Sequence, residues 1–141
     1  MTVISTVPVV VVGADGSANA DAAVQWAQSY AESTGAVLRL VVAWDWPMSY
    51  GYPMVFDDFD PEADAVRVGE KAAANLVLPS ARIETLVLHG SAGELLVKAG
   101  SEADLLVVGR RGHHAVAGLL GSVSSYCVHH ATVPVVVVRP S

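Results

Sequence analysis

Leu105 to Val108 is a short apolar run of strand type; Gly109 and Gly112 follow it, and Gly121-Ser122 opens a segment of helical character. Residues of this kind in this order can hold an anion. Glycines let backbone N–H groups approach a ligand, and a helix start adds unpaired N–H donors and the positive end of the helix dipole. Phosphate is the natural guest. The spacing is neither G-x-x-x-x-G-K-[ST], for no Lys is present, nor G-x-G-x-x-G. Arg110 and Arg111 lie inside the loop and can neutralise phosphate charge. Adjacent side chains usually point apart, so one of them, taken as Arg111, serves the ligand and the other the surface.

Other reactive residue types are poorly placed for chemistry. His113-His114 and His129-His130 are adjacent pairs, and neighbours on a helix do not share a face; no H-x-x-x-H spacing or cysteine partner accompanies them. His129 and His130 instead suit a helix end, where partial positive charge complements the dipole. Cys127 is the single cysteine, cannot form an internal disulfide, and reads as a small buried hydrophobe. No lysine, Asp-rich metal box or Ser, His and Asp trio stands beside the glycine loop, so a fast phosphoryl transferase lacks its parts. Binding outranks turnover, and no catalytic residue is assigned.

The elements that must position the loop are legible as alternating strands and helices. Pro8 to Val12 is a continuous β-branched run without alternation, the mark of a strand covered on both faces, and it ends at Gly13. Ser17 or Asn19 can cap the next helix, in which Ala20, Ala23, Ala27, Tyr30 and Ala31 recur at helical spacing until Gly35. Val37 to Ala43, Ile83 to Leu88, Leu105 to Val108 and Val135 to Val138 read as further strands. Glu62 to Leu76, Glu94 to Ala99 and Ser122 to His130 read as helices. Strict alternation forces right-handed crossovers and an α/β sheet with helices on both faces. In such sheets the ligand lies beyond the C-terminal strand ends, where connections diverge.

With 141 residues, 52% hydrophobic and 16% charged, the chain reads as one compact domain over 1–141. Eight basic against fourteen acidic residues give a net charge of -6, which disfavours nucleic acid and anionic membrane as partners. Gly112 to Val138 carries no formal charge, but serines, paired histidines, glycines and Pro134 interrupt it, so it reads as buried loop, helix and strand and not as a membrane span. The absence of a signal-like N-terminus leads to the expectation of a cytoplasmic protein. Trp44 to Phe59 gathers aromatics with Pro47, Pro53 and aspartates. Such a loop packs on its own domain, acts as a lid, or forms a partner-binding patch.

G-R-R-G, an apolar-rich connector, G-S-V-S and V-P-V-V-V-V-R resemble the universal stress proteins, whose nucleotide-binding branch carries G-x2-G-x9-G-[ST]. V-V-V-V-G-A-D-G-S and L-V-V-A-W-D-W-P resemble that family's first two strands, so the likeness extends over nearly the whole chain. One departure stands out. Between Gly112 and Gly121 there are eight residues, His113 to Leu120, one fewer than the family pattern.

The resemblance implies a five-stranded parallel sheet of order 3-2-1-4-5, adenine nucleotide alpha-hydrolase-like, with an adenine nucleotide in the cleft. ATP with Mg2+, or AMP, is the expected ligand. Gly13, Ala14 and Asp15 then face Val108, Gly109, Arg111 and Gly112, while Gly121, Ser122 and Val123 offer N–H groups from the helix start. Asp15 either stabilises a turn and helix start or, as in the family, contacts the nucleoside. Trp44 matches the family's hydrophobic position beside adenine, although a Trp ending a strand also serves as core. The implied role is a stress-related sensor or binding module, paired as a homodimer through Val135 to Val138. A slow ATP hydrolase and a nucleotide-free dimeric scaffold are the rival readings.

Overall fold

The computed structural model describes residues 7–49, 51–53, 58–111 and 120–140. Gly112, His113, His114 and the rest of the connector to 119 therefore lie outside the described residues, as do Tyr50 and 54–57 of the aromatic loop. Five strands form one parallel sheet: β1 (Val9–Gly13), β2 (Val37–Trp44), β3 (Ile83–His89), β4 (Leu105–Gly109) and β5 (Val135–Val138). Their order is β3-β2-β1-β4-β5, as the family likeness implies. Val9 pairs with Val37 and Val10 with Leu105, so β1 lies at the centre.

Four helices cover the sheet: α1 (Ala18–Thr34), α2 (Pro61–Ala74), α3 (Ala92–Gly100) and α4 (Ser122–His130). Alternate residues of the central strands face opposite layers. Val10, Val12, Leu38, Leu40 and Val107 pack with Ala23, Val24, Ala27 and Ala31 of α1 and Ala65 of α2. Val11, Val41, Leu106 and Val108 pack with Leu96 of α3 and Cys127 of α4. Two dry faces explain the unbroken valine runs, since every side chain of β1 and β4 must be apolar wherever it points. Burial of each such side chain stabilises the fold by about 1.5–3 kcal/mol.

Local chemistry sets the boundaries. Ser17 caps α1, its Oγ accepting from Ala20 N at 3.2 Å, and Gly35, at φ 78°, closes it through an N–H bond to Ala31 O. Of the two residues able to cap α1, Ser17 does so and Asn19 lies inside the helix. Asp60 caps α2, with Oδ1 accepting from Ala63 N at 3.0 Å, and Pro61 occupies the first helical position. The helix thus starts one residue earlier than the apolar periodicity suggests and ends two residues sooner. Within the aromatic loop, Met48–Ser49 and Tyr52–Pro53 form a small antiparallel hairpin with Gly51 at φ 80°. Met48 and Tyr52 are exposed on it. No helix among the described residues is long and apolar enough to cross a membrane.

Candidate functional site

The connections from β1 and β4 leave in opposite directions, which opens a crevice at the C-terminal ends of these strands. A cavity of about 330 Å3 lies there, within the range of small-molecule sites. Gly13, Ala14 and Asp15 form one side of it. Val108, Gly109 and Arg111 from the end of β4, with Gly121, Ser122 and Val123 from the start of α4, form the other. Of the residues singled out in the sequence, Trp44 alone among the described ones does not line it. That ring is stacked on His89 with centroids 4.3 Å apart and edge-on to Trp46 at 6.2 Å. His89 Nε2 in turn lies 3.0 Å from Asp45 Oδ1.

The turn after β1 is fixed before any ligand arrives. Ala14 N donates to Val41 O at 3.0 Å, and Gly16 takes φ 81°, a left-handed turn that a side chain would strain. Ser17 N donates to Asp15 Oδ1 at 2.8 Å, so the carboxylate turns back on its own helix start while it borders the cavity. Both readings of Asp15 are thus compatible with its position.

On the opposite side, the α4 end of the connector is tied to a carbonyl at its β4 end. Gly121 N donates to Arg110 O at 2.9 Å, and the Ser124 hydroxyl donates to the same oxygen at 2.7 Å and contacts Gly121 O at 3.1 Å. Arg110 N donates to Val138 O at 2.7 Å, anchoring that residue to the last strand. Ser124 is 1% exposed, and its buried hydroxyl holds the entry to α4 against the end of β4. The first N–H groups of α4, at Ser122 to Ser124, have no acceptor within the helix and border the cavity. An anion is their natural partner.

Sequence reasoning missed the apolar part of the cavity. Val41 and Ala43 of β2 and Ala92 and Leu96 of α3 line it, with Ala20 of α1 and the hydroxyl-bearing Ser124. Small aliphatic residues carry no chemical signature, and only the strand order and the crossing of α3 bring them here. Ser124 was legible as part of G-S-V-S, though its bond to Arg110 O was not. Asp15 and Arg111 are the two charged residues lining the cavity among the described residues. No group of three His, Cys, Asp or Glu converges there or elsewhere among them. Arg111 Nε is buried without a hydrogen-bond partner, as is Asn19 Oδ1 in the first turn of α1. Cys127 is fully buried under α4, and burial pushes its thiol up to about 11.

A sheet of this order with a crevice at the β1 and β4 ends matches known proteins. The model of the Universal stress protein family matches residues 7–139. A universal stress protein of Mycolicibacterium smegmatis is 33% identical over 139 residues, covering 92% of this chain and 47% of its own length. One from Thermus aquaticus is 36% identical over 130 residues, covering 89% of this chain and 93% of its own. The chain thus spans about half the length of the mycobacterial relative and nearly all of the Thermus one. Among solved structures, a universal stress protein in complex with cAMP superposes with a TM-score of 0.67 at 32% identity, covering 97% of this chain and 100% of its own. The universal stress protein UspA from Lactobacillus plantarum, at 23% identity and a TM-score of 0.71, shares the fold. The match over residues 7–139 and relatives at about one-third identity have one consequence: the chain belongs to the universal stress protein family.

Proposed function

We propose that the cavity binds an adenine nucleotide and that the chain works as a nucleotide-responsive sensor or binding module in stress physiology. One observation carries this reading. The N–H groups at the start of α4, without acceptors in the helix, and Arg111 border a cavity that also has Asp15 and an aliphatic wall of Val41, Ala43, Ala92 and Leu96. That is the polarity of a nucleotide. Its phosphate suits the N–H groups and the guanidinium, its base suits Val41, Ala43, Ala92 and Leu96, and Asp15 can accept from ribose hydroxyls between them. The cAMP complex of a relative at 32% identity supports this class of ligand.

Binding is favoured over turnover because the cavity offers one carboxylate and one guanidinium, and no His, Lys or Cys, among the described residues. ATP would bring Mg2+ through its own phosphates and water, since Asp15 is the lone carboxylate at hand. In this reading Trp44 serves the base side of the ligand, and Gly112 completes the phosphate loop. Pairing of two copies through β5 and a cytoplasmic location complete the reading.

Mass spectrometry of the small molecules released when purified protein is denatured tests this proposal. An adenine nucleotide is expected. A guanine nucleotide or an unrelated metabolite in its place overturns it. Conversion of added ATP to ADP or AMP faster than in buffer would favour the hydrolase instead.

A further inference from the structure

Two buried polar atoms near the cavity lack partners among the described residues, and they are complementary. Arg111 Nε is a donor that can do nothing else, and Asn19 Oδ1 is an acceptor. Their backbones are close through Gly109: a Cβ on that glycine would lie 2.7 Å from the Asn19 carbonyl carbon and oxygen, and Arg111 is two residues further on. Arg110 between them is pinned by its N–H to Val138 O and by its carbonyl to Gly121 N and Ser124 Oγ, so Arg111 starts from a fixed point. Buried orphan donors and acceptors are rare in folded proteins and call for an explanation.

Electrostatics supplies one. Arg111 borders the same cavity as Ala20, in the first turn of α1, and Ser122, at the first turn of α4, so a cation stands near the positive ends of two helices. Without an anion in the cavity, such a guanidinium is repelled from the helix starts. With one, it is drawn in.

We infer that Asn19 is a positioning residue for Arg111: when an anion occupies the cavity, Asn19 Oδ1 accepts from Arg111 Nε–H and thereby directs the outer guanidinium N–H groups at the phosphate. The inference rests on the nucleotide reading and extends it by naming a residue of α1 that touches no ligand.

The test is a double-mutant cycle read by calorimetric titration of AMP and of adenosine into the parent, Asn19→Ala, Arg111→Ala and the double variant. Each single change should lower the ratio of AMP to adenosine affinity about tenfold, the scale of one charge-assisted hydrogen bond, and the double variant should lose no more than Arg111→Ala alone. Ligand-free Asn19→Ala should melt no lower than the parent, because the atom it removes has no partner there. A purely structural Asn19 would instead lower the melting temperature and leave the affinity ratio alone. Additive losses, or an unchanged ratio in Asn19→Ala, overturn the inference. If the parent binds neither compound, the nucleotide reading fails separately. Inorganic pyrophosphate titrated into the same variants then decides the Asn19–Arg111 relation, with equal binding by parent and Asn19→Ala counting against it.

Discussion

At Gly109 the end of β4 comes against the first turn of α1, and the glycine is required there for packing. A Cβ would stand 2.7 Å from Asn19 backbone atoms and 2.9 Å from Ala20 N, where no side chain can rotate away. Gly109→Ala should therefore destabilise the protein by about 1–3 kcal/mol, the usual cost of overpacking, as measured by urea denaturation, and weaken nucleotide binding as well. Equal stability of variant and parent would show that α1 yields easily. Cys127 gives a pH-dependent counterpart. Its thiol titrates at 9.0 in the reference state and at about 11 in the fold, because burial disfavours the thiolate. The bound proton therefore contributes stability that is fully present below pH 9 and is lost as pH rises from 9 towards 11. The loss attributable to this group is about 2–3 kcal/mol. Subtracting the pH profile of Cys127→Ala isolates it from the tyrosines and lysines; parallel profiles would contradict the assignment.

At the scale of elements, the connector between β4 and α4 is the feature that sets this chain apart from its family pattern. Gly121 N and Ser124 Oγ at its α4 end both donate to Arg110 O at its β4 end, so the two ends are clamped together and the missing residue cannot be absorbed there. One residue removes about 3.5 Å of reach. Contacts to an inner phosphate, made by Ser122 and Val123 N–H groups, should survive the shortening better than contacts to outer phosphates. Inserting one Leu after Leu120 is thus expected to raise the ratio of ATP to AMP affinity severalfold, read by titrating both ligands into both versions; an unchanged ratio would mean that length does not set phosphate preference. The elements themselves were legible because parallel strands dry on both faces demand the valine runs at Val9 to Val12 and Val135 to Val138, and Ser17, Gly35 and Asp60 punctuate helices by local chemistry. Asp15, Gly109, Gly121 and Ser122 were legible from their spacing, and the structure brings them to one cavity. Ala43, Ala92 and Leu96 were not, because nothing distinguishes a cavity-lining aliphatic residue from a core one until α3 is placed. The hairpin at Met48–Ser49 and Tyr52–Pro53 escaped because two-residue strands leave no periodicity to read.

For the whole molecule, the sheet ends on one side in β5, four half-buried valines whose outer backbone groups face no strand among the described residues. Such an edge is a template for pairing, and a second copy is the natural cover. Light scattering at micromolar concentration should find a dimer, and Val136→Pro, which removes a ladder donor, should give monomer or aggregate; a monomeric parent contradicts this arrangement. The net charge of -6 does not forbid an anionic ligand, because the local field at the crevice is set by Arg111 and the helix starts and not by the distant surface. The central claim, that this crevice is a nucleotide site, has a direct global readout, since a ligand that binds only the folded chain stabilises it by mass action. At a ligand concentration about 100 times Kd the gain is about 2.7 kcal/mol, which for a domain of this size raises Tm by about 10 °C. The deciding measurement is the melting temperature against rising concentrations of ATP, with GTP at matched ionic strength as control. A logarithmic rise with ATP well above that with GTP is the predicted result, and a melting temperature that stays flat to millimolar ATP would contradict the account.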